Sequence, residues 1–198
     1  MIFCIDNGHG INTAGKQSVD GSLKEYAWAR EVAQRVAQKL NQRGYEARLI
    51  TPEIQDTDLR VRVRRVNNLC DTFGAENCCV VSIHVNASGY GKFWMPAQGW
   101  SVYCSNGKSG KVSSGSERLA DCFYDEAAKL GRKMLKERPN KSYWVKSLAI
   151  CRDTKCPAVL TENFFMTNKD DLRYLLSAEG TEAIVNMHVD ALIKYADK

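Results

Sequence analysis

Residues 78–85 read Cys-Cys-Val-Val-Ser-Ile-His-Val. A strand with one wet face alternates apolar and polar residues, and this run does not, so it predicts a central strand covered on both faces. Such strands belong to parallel sheets whose crossover helices pack on either side. Working outward, Asp58–Gly74 carries Leu59, Val63, Val66, Cys70 and Phe73 at helical spacing. The short alternation Arg60-Val61-Arg62-Val63 suits a strand, but the longer pattern decides for a helix. Arg60, Arg62, Arg64 and Arg65 are then expected on its solvated face.

The same reading extends to the termini. Met1–Asp6 is a short apolar run ended by Asn7-Gly8, a buried strand followed by a turn. Gly10–Gly21 reads as a loop. Ala29, Val32, Ala33, Val36, Ala37 and Leu40 keep the i, i+3, i+4, i+7 spacing of a helix that Gly44 ends. Glu46–Ile50, Trp100–Cys104 and Ala158–Thr161 are further strands. Ser116–Leu135 is a helix with Leu119, Phe123, Ala127, Leu130 and Met134 inward and Ser114-x-x-Glu117 as its capping box. A last helix carries Ile184, Met187, His188, Ala191 and Tyr195 on one side. Strands alternating with helices predict an α/β fold: one three-layer domain over residues 1–198, its twisted, mostly parallel sheet covered by helices on both faces.

Composition narrows the class. The chain has 198 residues, 44% hydrophobic and 26% charged, which excludes disordered, collagen-like and coiled-coil chains. No apolar run approaches the roughly 18 residues of a membrane span. No charged segment and signal-like apolar run precedes Met1–Asp6, so either the chain is made without an export signal or a leader has been removed. Cys4, Cys70, Cys78, Cys79, Cys104, Cys122, Cys151 and Cys156 form no C-x-x-C pair. They are expected as small buried apolar residues, with a Cys151–Cys156 bridge left open. A net charge of +5 suits an anionic partner. The arginines of 58–74 lack the aromatic interleaving or motif of a nucleic-acid site, and no nucleic-acid partner is expected. The chain is expected to be a monomer.

Four polar residues sit at strand ends or on a helix stripe: His9, Glu25, His84 and Glu162. Each has an ordinary structural explanation. Ser22-x-x-Glu25 is a capping box, His84 a core imidazole, His9 a loop residue, and Glu162 a cap or a partner for a nearby Lys or Arg. His188, on the apolar stripe of the last helix, reads as a core-edge histidine. Ligand sites in open α/β sheets gather beyond the carboxyl ends of strands, where the four would converge if their strands are parallel and adjacent. Two imidazoles and one carboxylate match a catalytic zinc set, and a further carboxylate completes a metal-assisted hydrolase. No local His-Glu-x-x-His pairing fixes which residues ligate.

Five segments in order resemble the zinc-dependent N-acetylmuramoyl-L-alanine amidases of amidase family 3: Asp6-Asn-Gly-His-Gly10; Gly21-Ser-Leu-Lys-Glu25; Leu59-x-x-Arg62-x-x-x-Val66-Asn67; Ser82-Ile-His-Val-Asn-Ala87; and Pro157-Ala-Val-Leu-Thr-Glu162 with Thr167-Asn168. The resemblance implies that His9, Glu25 and His84 bind one Zn²⁺ and that Glu162 is the catalytic carboxylate. It also implies a substrate, the amide joining the lactyl group of N-acetylmuramic acid to L-alanine of the peptidoglycan stem peptide, and so an action at the cell wall, periplasmic or extracellular. Asp6 is expected to orient His9, and Asn86 to hold substrate. Asn7 stands where the family has Pro, Ile11 where it often has Gly, and Phe164 where Gly usually follows the catalytic Glu by two. About a dozen residues separate Ala87 from Trp100, too few for the inhibitory helix some members insert there, so the site is expected to be open. The alternatives are a zinc peptidase cutting within the stem peptide and a non-catalytic peptidoglycan-binding module.

Overall fold

The run at 78–86 lies inside a six-stranded sheet, as seen in a computed structural model describing residues 1–137 and 139–197. The strands are β1 (Ile2–Asn7), β2 (Glu46–Leu49), β3 (Cys78–Asn86), β4 (Ser101–Cys104), β5 (Trp144–Val145) and β6 (Ala158–Phe165). Their order is β2-β1-β3-β6-β4-β5. β1 pairs in parallel with β2 and β3, and β3 with β6; β4 runs antiparallel to β6. The mostly parallel α/β architecture is therefore as the apolar run required.

Alternate residues of β3 enter two cores. Cys79, Val81, Ile83 and Val85 pack with α1 (Glu25–Gln42), α3 (Ser114–Ala128), α5 (Lys169–Leu176) and α6 (Ala178–Ala196). Cys78 and Val80 pack with α2 (Leu59–Phe73) and α4 (Ala149–Arg152) on the other face. The first core holds the larger side chains, among them fully buried Phe3, Ile5 and Phe123, each contributing about 1.5–3 kcal/mol by burial. All eight cysteines are buried, and Cys151 and Cys156 form no bridge. Among the described residues no helix is long and apolar enough to cross a membrane.

Several expectations need correction. The helix predicted to reach Leu135 ends at Ala128 because Gly131 takes φ 65° and the chain beyond it extends. There Trp100 N donates to Lys133 O at 2.9 Å and Leu135 N to Trp100 O at 2.8 Å. Leu130 and Met134 still pack on the core, from outside the helix. Its cap is Ser113 rather than Ser114; the Ser113 Oγ accepts from Ser116 N at 3.1 Å. β6 runs four residues past Thr161, while β5, α4 and α5 are too short to show a period in the sequence.

Arg62 is the larger departure. It was expected in solvent with Arg60, Arg64 and Arg65, yet it is 3% exposed. Arg62, Val66 and Cys70 recur every fourth residue, and that ridge is the buried face of α2. Leu59 and Phe73, assigned to the stripe, are exposed. The Arg62 guanidinium donates to Asp6 Oδ1 at 2.9 Å, Asn7 O at 2.5 Å, Asp56 Oδ1 at 2.8 Å and Thr57 O at 2.8 Å. It ties α2 and the 51–58 loop to the end of β1. Removing one member of a buried ion pair strands the other, so Arg62→Met is expected to lower stability by about 3–5 kcal/mol in denaturant titration.

His188 is fully buried rather than at the core edge. Its Nδ1 lies 2.8 Å from Ile184 O and its Nε2 3.0 Å from Thr161 Oγ1, so a neutral ring donates to the carbonyl and accepts from the hydroxyl. Burial lowers its pKa to about 4. Between pH 6.5 and 4 the unfolded chain takes up a proton that the native chain refuses, so stability falls as pH falls, by about 3 kcal/mol from this group. His188→Gln should lose correspondingly less stability between pH 7 and pH 4, read from urea midpoints.

Candidate active site

The loop leaving β1 is built for close approach. Gly8 N donates to Ile83 O at 2.9 Å, prolonging the β1–β3 pairing by one residue. A Cβ on Gly8 would lie 2.5 Å from His84 Nδ1, and one on Gly10 would lie 2.0 Å from Asp56 N. Between them His9 adopts φ 62°, a left-handed conformation that costs a non-glycine residue about 1 kcal/mol or more.

Glu25 opens α1, yet the Ser22-x-x-Glu25 capping box does not form. Ser22 Oγ and N both bind Asp20 Oδ1, at 2.7 and 3.1 Å, and the helix N-cap is Lys24 with no side-chain cap bond. Glu25 is buried and turned inward. Its Oε1 accepts from Val85 N at 3.1 Å and lies 3.1 Å from His84 Nδ1, while its Oε2 lies 3.4 Å from His9 Nε2. The two imidazoles meet edge to face with centroids 5.2 Å apart. Ligand atoms of His9, Glu25 and His84 all fall within 4.8 Å of one another, the one such cluster among the described residues.

The charges at this cluster are shifted by burial and by each other. Burial lowers the His9 pKa, with the Glu25 carboxylate opposing. Burial also pulls His84 down, but hydrogen bonding and charge from Glu25 outweigh it and its pKa is raised. Glu25 is lowered in turn, its burial overcome by the two imidazoles.

Glu162 stands directly across from His84 in the β3–β6 register. Its Oε2 is buried without a hydrogen-bond partner, and burial pushes its carboxyl up to about 7. One residue on, the register shifts: His84 faces Glu162, but Asn86 faces Phe165. The extra residue is accommodated by Phe164 at φ 64°. That is a bulge of the kind usually made by glycine, and it accounts for the position where the resembling family has Gly. Phe164 is tolerated there because its ring is fully buried and meets Tyr174 edge to face at 5.3 Å. Asn163, on the opposite face, donates to His84 O at 2.9 Å and accepts from Trp100 Nε1 at 2.9 Å, holding the bulged strand to β3.

Asp6 does not contact His9, contrary to expectation. Its oxygens are taken by Arg62 and Thr51 on one side and by Ser82 Oγ, at 2.6 Å, on the other. Asn86 lies at the end of β3, where its Oδ1 accepts from Ala87 N at 2.8 Å. Residues 87–99 contain no helix, in keeping with the short connection. A cleft of about 570 Å³ runs from His9 and His84 between Leu59 and Arg62 of α2 and Leu148 and Ile150 near α4. Arg62 and Ser82 went unrecognised in the sequence as site-supporting residues. For Arg62 a signal existed, its phase with Val66 and Cys70; for Ser82 only its place two residues before His84 on the same strand face.

Two imidazoles and a buried carboxylate, converging at the carboxyl edge of a mostly parallel sheet, could hold a single metal ion. The chain belongs to the N-acetylmuramoyl-L-alanine amidase family, whose model matches residues 3–194. Among its relatives is the endolysin of Bacillus phage SPP1, 28% identical over 195 residues and 96% of this chain. The chain spans 64% of that relative's length. Solved structures share the fold. An N-acetylmuramoyl-L-alanine amidase from Clostridium difficile 630 superposes with TM-score 0.82 at 22% identity, covering 100% of this chain and 97% of that one. Ami1 from Mycobacterium smegmatis gives 0.82 at 20%, with coverage of 100% and 97%.

The close approach at Gly8 makes a direct test. Gly8→Ala is expected to drive the His84 ring off Glu25 and to lower uptake of a divalent metal ion, measured by elemental analysis after metal loading, in a protein that still folds.

Proposed function

We propose that this chain is a zinc-dependent hydrolase that cleaves the amide between the lactyl group of N-acetylmuramic acid and L-alanine of the peptidoglycan stem peptide. The observation that carries this reading is the juxtaposition of the His9–Glu25–His84 cluster with Glu162 across the β3–β6 pair. Membership of the amidase family supplies the substrate class. The donor set suits zinc: two imidazole nitrogens and a carboxylate oxygen, all within 4.8 Å of one another, are the nitrogen and oxygen donors that zinc takes. His9, Glu25 and His84 would hold the ion, and residues 1–198 act as one catalytic unit.

When bound, zinc supplies Lewis acidity toward the amide carbonyl and the attacking water. Glu162 takes a proton from that water and returns it to the departing nitrogen of L-alanine, base and acid in turn. A carboxyl near pH 7 serves both directions, and the positive charge that the cluster gathers acts on it as His84 does, downward, toward the ionised base. The thiols offer no competing nucleophile, since all are buried and burial raises Cys4, Cys79, Cys104, Cys151 and Cys156. The cleft beside the cluster receives substrate, and Asn86 at the end of β3 contacts it. The substrate places the site of action at the cell wall, and the net charge of +5 favours approach to anionic wall polymers.

Glu162→Gln is expected to bind zinc as the parent does and to lose about 10²–10⁴-fold in turnover on purified peptidoglycan. Mass spectrometry of the digest should show intact stem peptides with a free L-alanine amine and glycan that keeps its lactyl group. Fragments cut within the peptide would replace the amidase reading by a peptidase one. Full activity after chelation would remove the metal from it.

A further inference from the structure

His84 presents Nδ1 to Glu25, and what lies behind its other nitrogen decides whether that edge can bind a cation. His84 Nε2 is 3.1 Å from Ser82 Oγ. Ser82 Oγ donates to Asp6 Oδ2 at 2.6 Å, and Asp6 Oδ1 accepts from Arg62 Nη1 at 2.9 Å. Ser82, Asp6 and Arg62 are all nearly sealed from solvent, at 1%, 1% and 3% exposure. The chain is a product of register: Asp6 and Ser82 are paired across β1 and β3, and His84 is the next residue on the same face as Ser82.

We propose that Arg62, Asp6 and Ser82 form a polarised relay that holds His84 in the tautomer with Nε2 protonated, leaving Nδ1 as the metal-binding atom. The inference rests on the assignment of His9, Glu25 and His84 as a zinc triad. The argument is one of proton counting. A serine hydroxyl has a single proton, and an ionised carboxylate can only accept. Asp6, anchored by a guanidinium, takes the Ser82 proton in the shorter, charge-assisted bond. Ser82 Oγ can then only accept from its other neighbour, so Nε2 of His84 must carry the hydrogen. The Nδ1 lone pair is thereby aimed at the space shared with Glu25 and His9. Metal-bound histidines commonly donate their second N–H to a carboxylate or carbonyl; here a hydroxyl stands between the imidazole and the carboxylate. Ser82, Asp6 and Arg62 are positioning residues, none of them reaching the reacting atoms.

Reversing the relay is the sharpest test. In Asp6→Asn the new amide can donate to Ser82 Oγ, which turns the hydroxyl proton toward His84 Nε2 and moves the ring proton to Nδ1. Because this change also loosens Arg62, Ser82→Ala and Ser82→Thr accompany it; the first removes the hydroxyl and leaves the Asp6–Arg62 pair, the second keeps the hydroxyl. Zinc affinity is measured by chelator competition, ring tautomers by long-range ¹H–¹⁵N NMR, and folding by the unfolding midpoint of the metal-free proteins. Zinc-loaded parent should show His84 protonated at Nε2. Ser82→Ala should bind zinc about 10–100-fold more weakly, and Ser82→Thr should recover most of that loss. Asp6→Asn should bind more weakly still, with Nε2 unprotonated in its metal-free form. A parent that binds zinc with Nε2 unprotonated, or a folded Ser82→Ala that binds within twofold of the parent, would overturn the relay and leave the triad standing. A parent that binds no zinc would overturn the triad, and the relay with it.

Discussion

The constraint on which the structure depends is the in-register parallel pairing of β3 with β1 and with β6. Parallel strands end together, so whatever the sequence places at their carboxyl ends meets in space. Asp6 is thereby fixed opposite Ser82, and His84 opposite Glu162. A slip of one residue in either pair would turn these side chains to the opposite face, into the apolar core that Ile83 and Val159 occupy. The register is itself held by burial on both faces, since each strand has two hydrophobic surfaces to satisfy. The stability of the core and the accuracy of the site are therefore one property of the same strands.

Two departures from relaxed backbone refine that geometry. His9 at φ 62° and Phe164 at φ 64° are the only non-glycine residues with positive φ among the described residues, and each lies within two residues of a strand end or carboxylate that forms the site. Each costs of the order of 1–3 kcal/mol, and each is held by surroundings that outweigh it. For His9 the surroundings are two glycines that admit His84 and the 51–58 loop at distances no side chain would allow. For Phe164 they are a sealed aromatic pocket and Asp171, whose Oδ2 accepts from Phe165 N at 3.0 Å and Gly99 N at 2.8 Å. The bulge inserts one residue after Glu162, and β6 then rejoins the β3 ladder at Phe165 opposite Asn86, with Met166 N donating to Asn86 O at 2.9 Å.

Legibility in the sequence follows the range of the interaction. The central strand, the helices at 25–42, 59–73 and 178–196 and the parallel α/β class are written in runs and periods of residues that share one environment. His9, Glu25, His84 and Glu162 could be picked out because polar residues interrupting such runs are rare. The contacts that correct the reading link distant residues, and a period cannot carry them. Ser22 was free to pair with Glu25 until Asp20, two residues away, took both its hydroxyl and its amide. Asp6 has His9 as its neighbour in the chain but Arg62 and Ser82 as its neighbours in space. Arg62 was misplaced because four arginines within six residues look like one solvated face, whereas the helix buries only the one in phase with Val66 and Cys70. Trp144–Val145 has two residues and no pattern at all; Tyr103 and Cys104 make it a strand.

The distribution of hydrogen bonds around the cluster gives the site its sign. The Glu25 carboxylate has one backbone donor, Val85 N, and the unpartnered Glu162 Oε2 has none. Arg62 lines the same cleft, but its donors are spent on Asp6, Asp56 and the carbonyls of Asn7 and Thr57. With neutral imidazoles, the cluster therefore carries an excess of negative charge and lone pairs in a setting where water is restricted. A buried site left in that condition is unfavourable unless a cation or protons occupy it. Nitrogen and oxygen donors so arranged are of the kind that a small, strongly polarising cation takes. The buried guanidinium stays out of the cluster and instead ties the end of β1 to α2 and the 51–58 loop.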